Sequence, residues 1–93
     1  MNIDYANLPR EVEDGEFRRT LEEELIVGFR MIRDGGERLP TASHYASQIA
    51  EIVNRNAPEP LTSELAYVVY QEILEACEYA RATVLGEGDR LPS

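Results

Sequence analysis

Lysine is absent from the 93 residues, and all nine basic side chains are arginine. A phosphate-cradling loop of the Walker type needs a lysine after its last glycine and a strand before it. Neither glycine-rich stretch, "RDGGERLP" at Arg33–Pro40 or "GEGDRLPS" at Gly86–Ser93, meets that requirement. A single cysteine, Cys77, excludes an internal disulfide and fits a reducing compartment. A single histidine, His44, excludes the paired Glu-x-x-His motif of helical-bundle metal sites. No apolar run approaches the roughly 18 residues that a membrane span needs. The polar opening "MNIDYANLPREVEDGE" also lacks the basic and apolar regions of a signal peptide. The expectation is a cytoplasmic chain with no membrane attachment.

Basic charge is scarce as well. Eighteen acidic residues against nine arginines give a formal net charge of -9, which opposes non-specific attraction to duplex nucleic acid or to an anionic membrane. A basic protein would be drawn in. A hydrophobic fraction of 43% is ordinary for a folded chain and rules against wholesale disorder. The length suits one domain spanning residues 1–93.

The apolar residues that are present recur at helical spacing. Phe17, Leu21, Leu25, Phe29 and Ile32 fall on one face of a helix over 17–34, and Gly35 or Gly36 can take the left-handed conformation that ends it. Leu39 can fold back onto the last turn, and Pro40 blocks resumption. A second helix over 42–56, capped by Thr41 or Ser43, carries Ala42, Tyr45, Ile49, Ile52 and Val53 inward. A third over 62–85 begins near Thr62 or Ser63 and stops at "GEGDRLPS". Both glycine-rich stretches therefore read as helix stops. Residues 1–16 form an N-terminal arm, and the expectation is an all-α, small three-helix domain with a long C-terminal helix.

That last helix carries two apolar stripes, Leu65, Val69, Ile73, Ala76, Ala80 and Val84 beside Tyr67, Tyr70, Leu74, Cys77 and Leu85. A helix of this length is about 35 Å long, and so wide an apolar arc exceeds what two shorter helices cover. A homo-oligomer with this helix at the interface is expected. The alternative is that the arm folds over the second stripe.

Catalytic constellations are missing, and no enzyme activity, cofactor or metal is expected. His44 has no orienting partner in the sequence. Glu72, Glu75 and Glu78 recur every three residues but drift around the helix, as a solvated face does. Cys77 lies among apolar neighbours, where a thiol is inert. Ser43, Ser47 and Ser63 have no strand-turn-helix elbow around them.

Two stretches carry resemblances. "HYASQIAEIVNRNAPEPLTSELAYVVYQEILEACEYAR", His44–Arg81, resembles the last two helices of the all-helical chorismate mutase family. In that family the first helix supplies arginines and a lysine for the substrate carboxylates. Here that helix is short, His44-Tyr45 stands where an Arg-Glu pair belongs, and Arg81 stands where a glutamine does. The resemblance implies a shared helical hairpin.

"FRRTLEEELIVGFRMIRDGGERL" followed by "EACEYA" resembles the helical hairpin of phage anti-CBASS sponge proteins, in which a "YR...EEEI" opening and an "EAxxWA" second helix recur. Phe17-Arg18 with Glu22-Glu23-Glu24-Leu25 match the first element, and Glu75-Ala76 with Tyr79-Ala80 match the second. The resemblance implies an oligomer that sequesters a cyclic nucleotide signal between subunits in the host cytoplasm, without turnover. The all-arginine usage fits the GC-rich codon bias of a phage or bacterial genome. Tyr5, Asn7 and Arg10 could offer a stacking ring, an amide and a guanidinium to such a ligand, supplemented by Arg18, Arg19 and Arg30. The family's lysine contacts have no counterpart. The same arginines also suit surface pairs, Arg18 with Glu22 and Arg19 with Glu23.

A different class follows from the charge alone. Glu11, Glu13, Asp14, Glu16, Glu22, Glu23 and Glu24 crowd the first quarter of the chain. Such a surface suits an immunity protein or inhibitor that blocks the basic groove of a nucleic-acid-binding partner, with salt-dependent association.

Overall fold

A computed structural model describes residues 3–89, and every regular element within them is helical. A 3-10 turn at Tyr5–Asn7 leads into α1 (Leu8–Asp14), α2 (Glu16–Asp34), α3 (Ala42–Asn56) and α4 (Ser63–Asp89). The first sixteen residues are thus mostly helical, where an arm was expected. Pro9 occupies the first turn of α1, where no intrahelical donor is lost. Gly15, at φ 80°, takes the left-handed conformation that ends α1, and α2 restarts at once with Arg19 donating to the Gly15 carbonyl at 3.1 Å. A seven-residue helix is unstable alone. This one holds because Ile3 and Leu8 are buried in the core and Tyr5 and Val12 pack against it.

The stop after α2 forms as its sequence suggests. Gly36 is the left-handed residue, at φ 80°. Its N–H donates to the Arg33 carbonyl at 2.9 Å, and Glu37 N–H donates to Ile32 at 3.2 Å, the two bonds of a Schellman closure. Leu39 is buried just beyond. The second glycine-rich stretch behaves otherwise, because α4 continues through Gly86, Glu87 and Gly88 to Asp89. It is no stop at Leu85, and Arg90–Ser93 lie outside the described residues. The other caps are Thr41, whose side chain accepts from His44 N–H at 3.3 Å, and Thr62, which accepts from Leu65 N–H at 3.2 Å.

α4 is the central element, packed along α2 on one flank and α3 on the other, with α1 against α2 and α4. Arg18 meets Glu72 and Glu75, and Arg30 meets Glu87. That near-constant sequence offset means α2 and α4 run parallel. α3 runs back between their ends, with Arg81 Nε donating to the Pro40 carbonyl at its start. Phe17, Leu21, Leu25 and Phe29 of α2, Ala46, Ile49 and Val53 of α3, and Val69, Ile73, Ala76, Cys77, Ala80 and Val84 of α4 fill the core. Ile52, expected inward, is 41% exposed, and Ala46 takes the inward place. Tyr45 bridges to α2 by packing its ring against Phe29, with centroids 5.1 Å apart and the planes tilted by 47°.

The two stripes of α4 fare differently. The first is buried apart from half-buried Leu65. Of the second, Cys77 is buried and Tyr70 and Leu74 are packed against the core, whereas Tyr67 and Leu85 remain 66% and 45% exposed. Part of the second stripe is therefore left open.

Candidate functional site

The six residues proposed for an anionic ligand do not converge within one copy of the chain. Arg18 and Arg30 lie twelve residues apart on α2, about 18 Å along its axis. Each is taken up by carboxylates.

Arg18, 28% exposed, donates Nε to Glu22 at 3.1 Å and Nη1 to Glu72 and Glu75 at 3.3 and 3.0 Å. Partial burial works against its charge, but the hydrogen bonds to the three carboxylates outweigh it and raise its pKa. Arg30 grips Glu87 with both Nε and Nη2, the fork geometry that favours guanidinium with carboxylate. Arg33 adds a third hydrogen bond to Glu87 at 3.2 Å and reaches the Val84 carbonyl at 3.4 Å. With two guanidiniums on one carboxylate, the Arg30 hydrogen bond foremost, Glu87 is pulled down to about 2.

The remaining candidates sit at the surface. Arg19 pairs with Glu16, one turn back, and not with Glu23 as its spacing suggested. Asn7 Nδ2 donates to Asp4 at 2.8 Å. Arg10 makes only a 3.6 Å contact to Asp14 and is 82% exposed. Tyr5 walls a depression of about 390 Å³ together with Pro9, Pro58, Pro60 and Leu61, in which Glu59 is the one charged lining residue. No cation among the described residues lines that depression, which makes it a poor fit for a phosphate.

What sequence reasoning missed is the set of carboxylates across the α2–α4 seam. Glu72 and Glu75 have the spacing of a solvated face, and Glu87 sits in a stretch that reads as a stop. All three face arginines 54 to 57 residues earlier. That recurring offset was the available signal, because only two parallel helices bring pairs at fixed separation together.

Several outer carboxylates take no part in the seam. Glu13, Glu23, Glu24, Glu37, Glu64 and Glu78 are exposed and make no ion pair among the described residues. His44 is exposed, and its ring lies 3.3 Å from the Gln48 amide. Cys77 is fully buried, and burial with the nearby Glu78 charge pushes its thiol up to about 11, which leaves it protonated and unreactive. No group of three or more His, Cys, Asp or Glu side chains among the described residues is placed to hold a metal ion. No helix among them is long and apolar enough to cross a membrane.

Compared with known proteins, the chain matches no family model, no curated sequence and no solved structure.

Proposed function

We propose that the protein acts by stoichiometric binding and blocks a basic surface of a protein partner. One observation carries this reading. Among the described residues, Arg18, Arg30 and Arg33 are held by carboxylates along the seam and Arg10, Arg19 and Arg55 pair locally, which leaves the exposed Arg38 without an ion pair, against Glu13, Glu23, Glu24, Glu64 and Glu78, which project outward without counter-charges. The charge of -9 therefore appears as a surface field. Such a field speeds encounter with a cationic groove and makes the complex sensitive to salt.

The test is affinity capture with the intact chain at low and high salt, followed by sizing of the complex formed with each recovered basic protein. A defined-ratio complex that weakens at least tenfold between about 50 and 500 mM salt supports the reading, since the Debye length shrinks about threefold over that range. No complex with any basic protein at low salt sinks it.

A cyclic-nucleotide sponge is the second reading, favoured by Arg10. Its contact to Asp14 is long and open to water, so the guanidinium is cheaply released to a ligand shared with a neighbouring copy. A panel of cyclic di- and trinucleotides separates the two. A rise in melting temperature with one of them, lost in Arg10→Ala and Tyr5→Ala, establishes the sponge. A flat response across the panel removes it.

A further inference from the structure

We infer that Arg30 and Arg33 form a binding site for a phosphate dianion, closed in this structure by the Glu87 carboxylate as its internal occupant. The inference goes beyond the binding reading above and stands apart from it. Two guanidiniums one turn apart on α2 converge on a single carboxylate. Glu87 Oε1 accepts from Arg30 Nε at 2.9 Å and from Arg33 Nη1 at 3.2 Å, while Oε2 accepts from Arg30 Nη2. Three donors and two positive charges thus surround two oxygens borne on one atom, an arrangement that a phosphate group also fills. The other end of the seam has the reverse ratio. There Arg18 is shared among Glu22, Glu72 and Glu75, and an anion would meet three carboxylates.

The donors keep their aim when Glu87 leaves. Arg33 is also tied to Asp34, through Nε at 3.1 Å and Nη2 at 3.0 Å, and to the carbonyl of the buried Val84 at 3.4 Å. Asp34 is exposed, so water and salt screen its charge. The carbonyls of Met31, Ile32 and Arg33 accept from the N–H groups of Gly35, Glu37 and Gly36, which blunts the negative end of the α2 dipole. The occupant is held less firmly. Glu87 stands between Gly86 and Gly88 in the last turn of α4, glycine is the weakest helix former after proline, and terminal turns open at little cost. A carboxylate tethered this way competes as if present at millimolar concentration or above, which shuts out a free monocarboxylate. A dianion with the same spread of oxygens displaces it by its second charge. The net charge of -9 opposes any anion at long range, and at physiological salt that field is screened beyond about 8 Å.

The experiment titrates the full chain with inorganic phosphate at mildly alkaline pH and a constant ionic strength of about 0.15 M, with acetate and chloride as controls. NMR follows the Arg30 and Arg33 Nε–H signals, and amide exchange follows the end of α4. Phosphate alone is expected to give saturable shifts at both arginines and faster exchange from Gly86 onward. Glu87→Ala removes the occupant and should bind phosphate at least tenfold tighter than wild type. In that background Arg30→Gln and Arg33→Gln should each weaken binding at least tenfold, and Arg19→Gln, an exposed arginine of the same helix, less than threefold.

Equal affinity in wild type and Glu87→Ala, or binding that survives both arginine variants, overturns the site. So does the absence of saturable binding in Glu87→Ala, because α2 carries both donors whether or not the last turn of α4 holds. A wild type that stays unresponsive at a hundredfold excess over the variant's Kd makes Glu87 a permanent partner and overturns the displacement. An equal response to chloride reduces the effect to salt loosening an ion pair and overturns it as well. None of these outcomes touches the capture of a basic protein, which is tested separately.

Discussion

The two glycine-rich stretches share the residues Gly, Glu, Asp, Arg, Leu and Pro, yet one ends a helix and the other continues it. After α2, Gly36 turns left-handed, two backbone bonds close the end, and Leu39 is buried beyond it. In α4, Gly86 and Gly88 stay helical, and between them Glu87 is held by Arg30 and Arg33 of the neighbouring helix. Glycine permits a stop without compelling one. Tertiary contacts decide, a buried leucine in the first case and a doubly held carboxylate in the second. The outcome bears on function too, because the continued helix occupies Arg30, one of the residues a phosphate would have needed.

The sharpest way to break the first stop is to remove its anchor. Leu39→Ala is expected to cost about 2 kcal/mol, the lower end for truncating a buried leucine, read as a shift of the urea midpoint with unchanged slope. Next comes Gly36→Ala. A methyl there meets nothing within 4 Å, so the cost is conformational only, about 1 kcal/mol for forcing alanine to positive φ. Gly86→Ala should do the opposite. Its site is helical and open, and alanine is expected to stabilise the chain by up to about 1 kcal/mol. If Gly86→Ala destabilised as Gly36→Ala does, the second stretch would be a stop after all. Thermal melts resolve both, at about 4–8 °C per kcal/mol for a domain of this size.

The helical class and the core faces of α2 and α4 were legible because their apolar residues recur with a helical period, which only burial on one side explains. The caps were legible from side-chain chemistry only as pairs, Thr41 or Ser43 and Thr62 or Ser63, and the threonine fills the place in both. Ile52 was misplaced because inward and flanking positions differ by one step of the helical wheel, and Ala46, small and unremarkable in sequence, took the inward place. The helicity of Leu8–Asp14 was missed because a short acidic segment has little intrinsic stability, and Ile3 and Leu8 form it only by burial against helices distant in sequence. The arginine partners followed the same logic. Local pairs such as Arg18–Glu22 are visible at a spacing of four, whereas Arg30–Glu87 depends on which way α2 and α4 run relative to each other. That direction is a property of the fold and not of either segment.

The smallest expected effect tests the clasp that carries α4 through its glycines. The Glu87 carboxyl is held at about 2 in the folded chain, well below its ordinary 4.5. A depressed folded value means the group stabilises the fold fully above its ordinary titration range and loses that contribution as pH falls toward the folded value. Glu87→Gln removes the charge while keeping the shape. The difference in melting temperature between wild type and Glu87→Gln should therefore be constant at neutral pH, shrink below about 4.5 and vanish near 2, with the other carboxylates cancelling because both proteins carry them. Salt should shrink the difference as well, since the Glu87 side chain is 30% exposed and screening acts on it. Amide exchange localises the effect. Faster exchange in Glu87→Gln from Leu85 onward, with the end of α2 unchanged, ties the helical continuation to this carboxylate. Uniform exchange would show that Gly86 and Gly88 are held in the helix by something else.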